Sequence, residues 1–280
     1  MLCKIARMDI QRTFRENLVR SFVVEFVIFF SIPFLVILLV ENGKVTDPTV
    51  FSGVPSYGDC LLYVFGGIKI YEYNPIEPIQ FPALWLLAFL LCLQSTTVYP
   101  EREQRNFGLQ ILVRSVSRQK WLFSKEIWII CSCITYLVIA YLSILISCLI
   151  SGCTISLQLN EYLPLITPIE GNDVTSRDGN KYFLVIMVLI PLVMIALANM
   201  QLFLSLSIKP SPAFVVIAAY LLLSAYFPIP LFIGHYGMVC RSDFLSGNGV
   251  NFFEGCLCSF AFTLLFAYIS LRRISVKNLL

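Results

Sequence analysis

Charge is what this sequence has least of. Only 13% of its 280 residues are Asp, Glu, Lys or Arg, about half the share of a soluble domain. A chain this apolar and this poor in charge is neither disordered nor an ordinary cytosolic enzyme. Its net charge of +3 is too small to grip a polyanion, so no nucleic-acid partner is expected. Histidine occurs once, at His235, which excludes paired-histidine metal sites and H-E-x-x-H hydrolases. There is no G-x-x-x-x-G-K-[ST] loop, so the chain lacks that cradle for hydrolysing ATP. Its long apolar stretches hold no aspartate, and their only carboxylates, Glu25 and Glu254, stand near the ends. Intramembrane proteases and ion-driven carriers keep polar or charged groups at mid-depth, so both classes fit poorly. What the chain has in abundance is apolar surface: 58% hydrophobic residues and a mean hydropathy of +0.81.

A hydrocarbon core ~30 Å thick takes ~20 mostly apolar residues of helix. Six stretches meet that length: 22–40, 81–99, 127–150, 182–207, 213–233 and 252–271. Backbone amides in lipid must be paired internally, so such runs are helices, and no short alternating segments of a membrane barrel occur. The predicted fold is therefore all-α, one transmembrane domain over 1–280 with six transmembrane helices.

Basic residues set the orientation. The segments 1–21, 100–126, 208–212 and 272–280 hold fifteen of the twenty Lys and Arg, whereas 41–80, 151–181 and 234–251 hold five. Under the positive-inside rule both termini are cytoplasmic. No cleavable leader is expected, because the first long apolar run begins only at Phe22 with no small-residue cleavage site after it.

Six of the ten cysteines, Cys92, Cys131, Cys133, Cys148, Cys256 and Cys258, fall in spans, where cysteine serves as a small apolar residue. The two C-x-C pairs point ~200° apart on a helix, so neither pair grips one metal, and no metal site is expected. Cys60, Cys153 and Cys240 lie in the external segments, where a Cys60–Cys240 bridge is one reading and free thiols the other. Neutral polar residues gather at the inner ends of two spans: Gln94 and Thr97 on the second, Asn199 and Gln201 on the fourth. They read as interhelical packing contacts or as the lining of a pathway. Pro191 is expected to kink the fourth span.

Outside the spans, 1–21 carries Ile5, Met8, Ile10, Phe14, Leu18 and Val19 among five basic residues, a spacing that approximates one apolar face of an amphipathic helix lying on the cytoplasmic interface. Glu25, a turn inside the first span, is expected to snorkel or pair with a basic neighbour. The stretch 227–239 is apolar but broken by Pro228, Pro230, Gly234 and Gly237, and reads as a re-entrant turn or as an aromatic belt around a helix end. Residues 100–126 embed the short apolar run Phe107–Val113 in charge, acidic first and basic last, which suits a short helix, with Trp121 as an interfacial anchor.

Within that stretch, Glu101-x-Glu103, Gly108, Leu112 and Ser117-Arg118-x-x-Trp121-x-x-Ser124-Lys125 resemble the second intracellular segment of type-2 ABC exporter permeases. The family's pattern often has proline before the serine–arginine pair, where this chain has Val116. The resemblance implies a coupling helix between spans two and three that inserts into a groove of an ATP-binding subunit. Glu101, Glu103, Phe107, Gly108, Leu112, Arg118 and Lys125 would then be its contact residues. It further implies a permease subunit without catalytic residues or cofactor of its own, ATP and Mg being held by the partner ATPase. A second permease subunit, identical or related, would complete a pathway in the cytoplasmic membrane of a bacterium. Its cargo would be amphipathic: an antimicrobial peptide, a drug or a lipid-linked molecule. The alternatives are a non-transporting membrane sensor or assembly subunit, and an intramembrane enzyme.

Overall fold

The computed structural model describes residues 19–46, 53–70, 80–105, 118–160, 181–246 and 249–276. The apolar runs fold as helices because in lipid only a helix satisfies every backbone amide within one segment. They are α1 (Val19–Thr46), α2 (Tyr57–Phe65), α3 (Ala83–Arg105), α4 (Arg118–Ser151), α5 (Tyr182–Ser207), α6 (Pro210–Tyr226) and α7 (Phe252–Val276). No strand occurs among the described residues, only two isolated bridges, Ser56 with Thr154 and Ser242 with Val250.

Four helices are long and apolar enough to cross a membrane: Phe22–Val45 in α1, Trp121–Ser151 in α4, α5, and Phe252–Arg273 in α7. The described residues thus hold helices and no strand, and the four long apolar helices mark the chain as a membrane protein. The other two predicted spans are apolar helices of shorter reach, Ala83–Thr96 within α3 and Pro210–Tyr226. The fifth was expected to run to residue 233, but α6 stops at Tyr226. Phe227 adopts an extended backbone, as the residue before a proline must, and Pro228 follows. The expected interface helix at 1–21 lies outside the described residues except for its last three.

Helix α5 is the axis of the bundle, touching α3, α4, α6 and α7, while α1 lies along α4. Over half of the apolar window of α5 is buried (56%) against 11% for α7, which rides on the outside. The outer surface stays apolar, with Val27 and Leu38 on α1, Ile134 and Val138 on α4, and Leu257 and Leu264 on α7 all exposed. For a bundle whose solvent is lipid, both faces of a helix can be apolar, and packing separates them where polarity does not.

Pro191 acts through hydrogen bonding. Residues Val185–Leu189 form a π-turn inside α5, in which the Ile190 amide reaches back to Val185 O. The next bond in that register would come from residue 191 to Ile186 O, and proline has no N–H to give. The Tyr141 hydroxyl on α4 donates to Ile186 O instead, at 2.8 Å.

Candidate functional site

Where α3 ends and α4 begins, the helices carry a buried polar layer. Glu25 on α1, Thr96 on α3, Ser124 and Lys125 on α4, and Asn199 and Gln201 on α5 are all buried. Gln201 Nε2 donates to Leu93 O on α3 at 3.4 Å, tying two helices together. Asn199 turns back on its own helix, Nδ2 to Ile195 O at 3.1 Å, and its Oδ1 is buried without a hydrogen bond. Gln94 is exposed, and the side chain of Thr97 lies outside the described residues. Of the four polar residues singled out in the spans, only Gln201 therefore makes a described hydrogen bond across helices.

Two expectations are corrected here. Glu25 does not snorkel outward: it is 2% exposed, its Oε2 has no hydrogen bond, and Cys92 and Tyr136 lie within its electrostatic reach. Trp121 is no interfacial anchor, being 4% exposed with the Lys125 ammonium 5.4 Å from its ring centre. Polarity at a helix end could have flagged Glu25, but which face it takes is set by packing against α4.

Of the predicted coupling residues, Glu101 and Glu103 sit on the last turns of α3, and Arg118 is the first residue of α4. Their side chains lie outside the described residues, as do Phe107, Gly108 and Leu112 entirely. Lys125 is one turn inside α4 and buried.

The opposite end of the bundle is closed by non-helical chain. Residues Ile233–Gly237 and Val239–Arg241 form two 3-10 turns that dip among the helices, where Ile233, His235, Tyr236, Val239 and Arg241 are buried. Protein surrounds this non-helical backbone on the side of the helices. Trp85 Nε1 donates to Gly237 O at 3.0 Å. The Arg241 guanidinium ties two segments of chain together, residues 68–69 and the end of α6. Its Nε donates to Ile68 O at 2.8 Å, its Nη2 to Lys69 O at 2.9 Å and to Ala225 O, and its Nη1 to Ser224 O at 3.5 Å. Two of these acceptors are carbonyls at the C-terminal end of α6, where a cation is favoured. Burial holds the guanidinium down at about 10, still charged at neutral pH. His235 donates from Nδ1 to Phe232 O at 2.6 Å, and burial pushes its pKa below the usual histidine value.

The Cys60–Cys240 bridge does not form. Cys240 is a free thiol buried beside Gly66, pushed up to about 12 by burial, and it belongs to the Val239–Arg241 turn. Cys60 instead faces Cys148 and Cys153, the three sulfurs lying within 4.8 Å of one another. Cys148 was read as a small apolar residue of the third span; its thiol is part of this cluster.

A family model described as a protein of unknown function, DUF2705, matches residues 35–274. No curated protein and no solved structure matches the chain. Since the family match runs from the middle of α1 to the last turn of α7, the chain belongs to the DUF2705 family of proteins of unknown function.

Proposed function

We propose that this chain is the permease subunit of an ATP-driven exporter of the type-2 ABC class. It crosses the cytoplasmic membrane of a bacterium six times, α3 and α6 supplying the two spans beyond the four long ones. A separate ATP-binding subunit provides the energy, and a second permease copy or relative completes the pathway for an amphipathic cargo.

One observation carries the reading. Both helices that flank the family-like segment outrun their apolar stretches: α3 continues from Thr96 to Arg105, and α4 begins at Arg118, ahead of its apolar start at Trp121. Only residues 106–117 separate two rigid helices. A short element held this way passes a push to both, and a slack loop would not. Closing of an ATPase pair beneath Glu101–Lys125 would tilt α3 and α4 together and so reshape the polar layer around Gln201 and Asn199.

The test is purification in mild detergent from the native host. The reading predicts a co-purifying ATP-binding-cassette subunit and vanadate-sensitive ATP hydrolysis only when that subunit is present. Turnover by the chain alone, or a native complex without an ATPase, would overturn it.

A further inference from the structure

Two cysteines five residues apart, Cys148 and Cys153, meet a distant third, Cys60, at the end of the bundle that carries few basic residues. Each is placed by backbone. Helix α4 ends with Gly152 at φ +75°, a left-handed turn that glycine adopts without strain. The Cys153 amide then reaches back to Cys148 O at 3.0 Å, the six-to-one bond of a Schellman cap. In that cap the side chains at the two bonded positions lie against each other, and here both are thiols. The chain beyond runs beside the start of α2: Tyr57 N donates to Thr154 O at 2.9 Å and Gly58 N to Ser156 O at 3.0 Å. Gly58 has no room for a side chain, since a Cβ would stand 2.3 Å from the Tyr182 hydroxyl. Ser56 and Asp59 cap α2 reciprocally, which presents Cys60, one turn in, to the two thiols of the α4 terminus. Cys148 donates to Cys60 at 3.9 Å.

We propose that Cys60, Cys148 and Cys153 form a three-sulfur site for a soft monovalent cation of the Cu(I) class. The donor set selects the ion. All three donors are sulfur, which favours soft metals over Mg, Ca or Mn. The neighbouring carboxylate is engaged elsewhere: Asp59 accepts from Ser56 N at 2.8 Å, from Asn160 N at 3.1 Å and from Asn160 Nδ2. A structural zinc site closes with four ligands, and this cluster offers three sulfurs, a set that a monovalent soft ion can satisfy. Cys60 and Cys148 are fully buried and Cys153 is 7% exposed, so Cys153 is the entrance. Each sulfur that ligates as thiolate gives its proton to solvent, and no redox change is involved. The site is independent of the transport reading.

The test uses the full chain, reduced and oxygen-free in detergent, titrated with Cu(I) and with redox-inert Ag(I). The expected result is a single tightly held ion per chain with a first shell of sulfur alone in X-ray absorption. Cys60→Ser, Cys148→Ser and Cys153→Ser should each weaken binding by about a hundredfold or more, since losing a ligand costs at least as much as the ~10–100-fold lost with an outer-shell partner. Cys240→Ser and Cys92→Ser should leave it unchanged. Cys153→Ser, at the entrance, guards against misfolding: its metal-free melting should match the parent while the metal-induced rise in Tm disappears. Unchanged binding in Cys153→Ser, tighter binding of Zn(II) than of Cu(I), or a Cys60–Cys148 disulfide in the freshly isolated chain would overturn the proposal.

Discussion

The Tyr141 hydroxyl on α4 stands 2.8 Å from Ile186 O on α5, supplying the donor that Pro191 cannot. The pair joins the two most buried of the four long helices through an acceptor that ordinary α-helical geometry would have used internally. In lipid no water is at hand to replace that donor.

Removing the hydroxyl should therefore show in stability. Tyr141→Phe is expected to cost ~1 kcal/mol, the scale of interhelical hydrogen bonds in membranes. In a Pro191→Ala background, where an amide returns to residue 191, the same change should cost less. Unfolding of all four variants in mixed micelles gives the coupling energy of this cycle. An identical cost with and without Pro191 would show that the proline does not free the acceptor.

The pH dependence of the cap formed by Ile233–Gly237 and Val239–Arg241 follows from His235. Burial, with the Arg241 charge acting the same way, lowers its pKa, while the Phe232 carbonyl and Glu254 oppose the shift. Because the folded pKa lies below the unfolded one, the unfolded chain binds the extra proton first as pH falls. The fold's stability is thus full above about pH 6.5 and declines on the acid side of it. Melting curves from about pH 5 to 7.5 should show this slope, and His235→Gln should flatten it. A slope that persists in the variant would assign the titration to another group.

Orientation can be read from outside the cell. The fifteen-to-five split of basic residues puts 100–126 inside and 151–181 outside. A membrane-impermeant maleimide on intact cells should label Asn172→Cys above the background of the unmodified chain. Gln119→Cys should label only after the cells are opened. Labelling of Gln119→Cys in sealed cells would invert the topology.

Coupling to an ATPase should depend on the apolar side of 107–112. Leu112→Asp is expected to cost ~2 kcal/mol or more of docking, the loss typical of a buried anchor, while leaving the helices inserted. Arg118→Glu should weaken docking in a salt-dependent way, as a rim charge does. Pull-down of the ATP-binding subunit, paired with a check of membrane insertion, measures both. Normal binding and transport by Leu112→Asp would place the coupling contact elsewhere.

The helices themselves were legible in the residues. Runs such as 182–207 and 252–271 appear as helices with nearly the bounds that apolarity alone assigns, because lipid leaves the backbone no alternative. The stop at Tyr226 was also written in the sequence, as Phe227 before Pro228, although the apolar run to 233 hid it; hydropathy counts residues and does not see φ. Which face of each helix points inward was not legible. In lipid both faces are apolar, so nothing in the composition around Glu25 or Trp121 distinguishes burial from exposure, and packing of α1 and α4 decided it. The thiol cluster divides the same way. Gly152 followed by Cys153 is a local signal for a helix cap that folds back on Cys148. Cys60 is 88 residues from Cys148, and only the docking of α2 against the end of α4 brings it there, a long-range contact that no local pattern encodes.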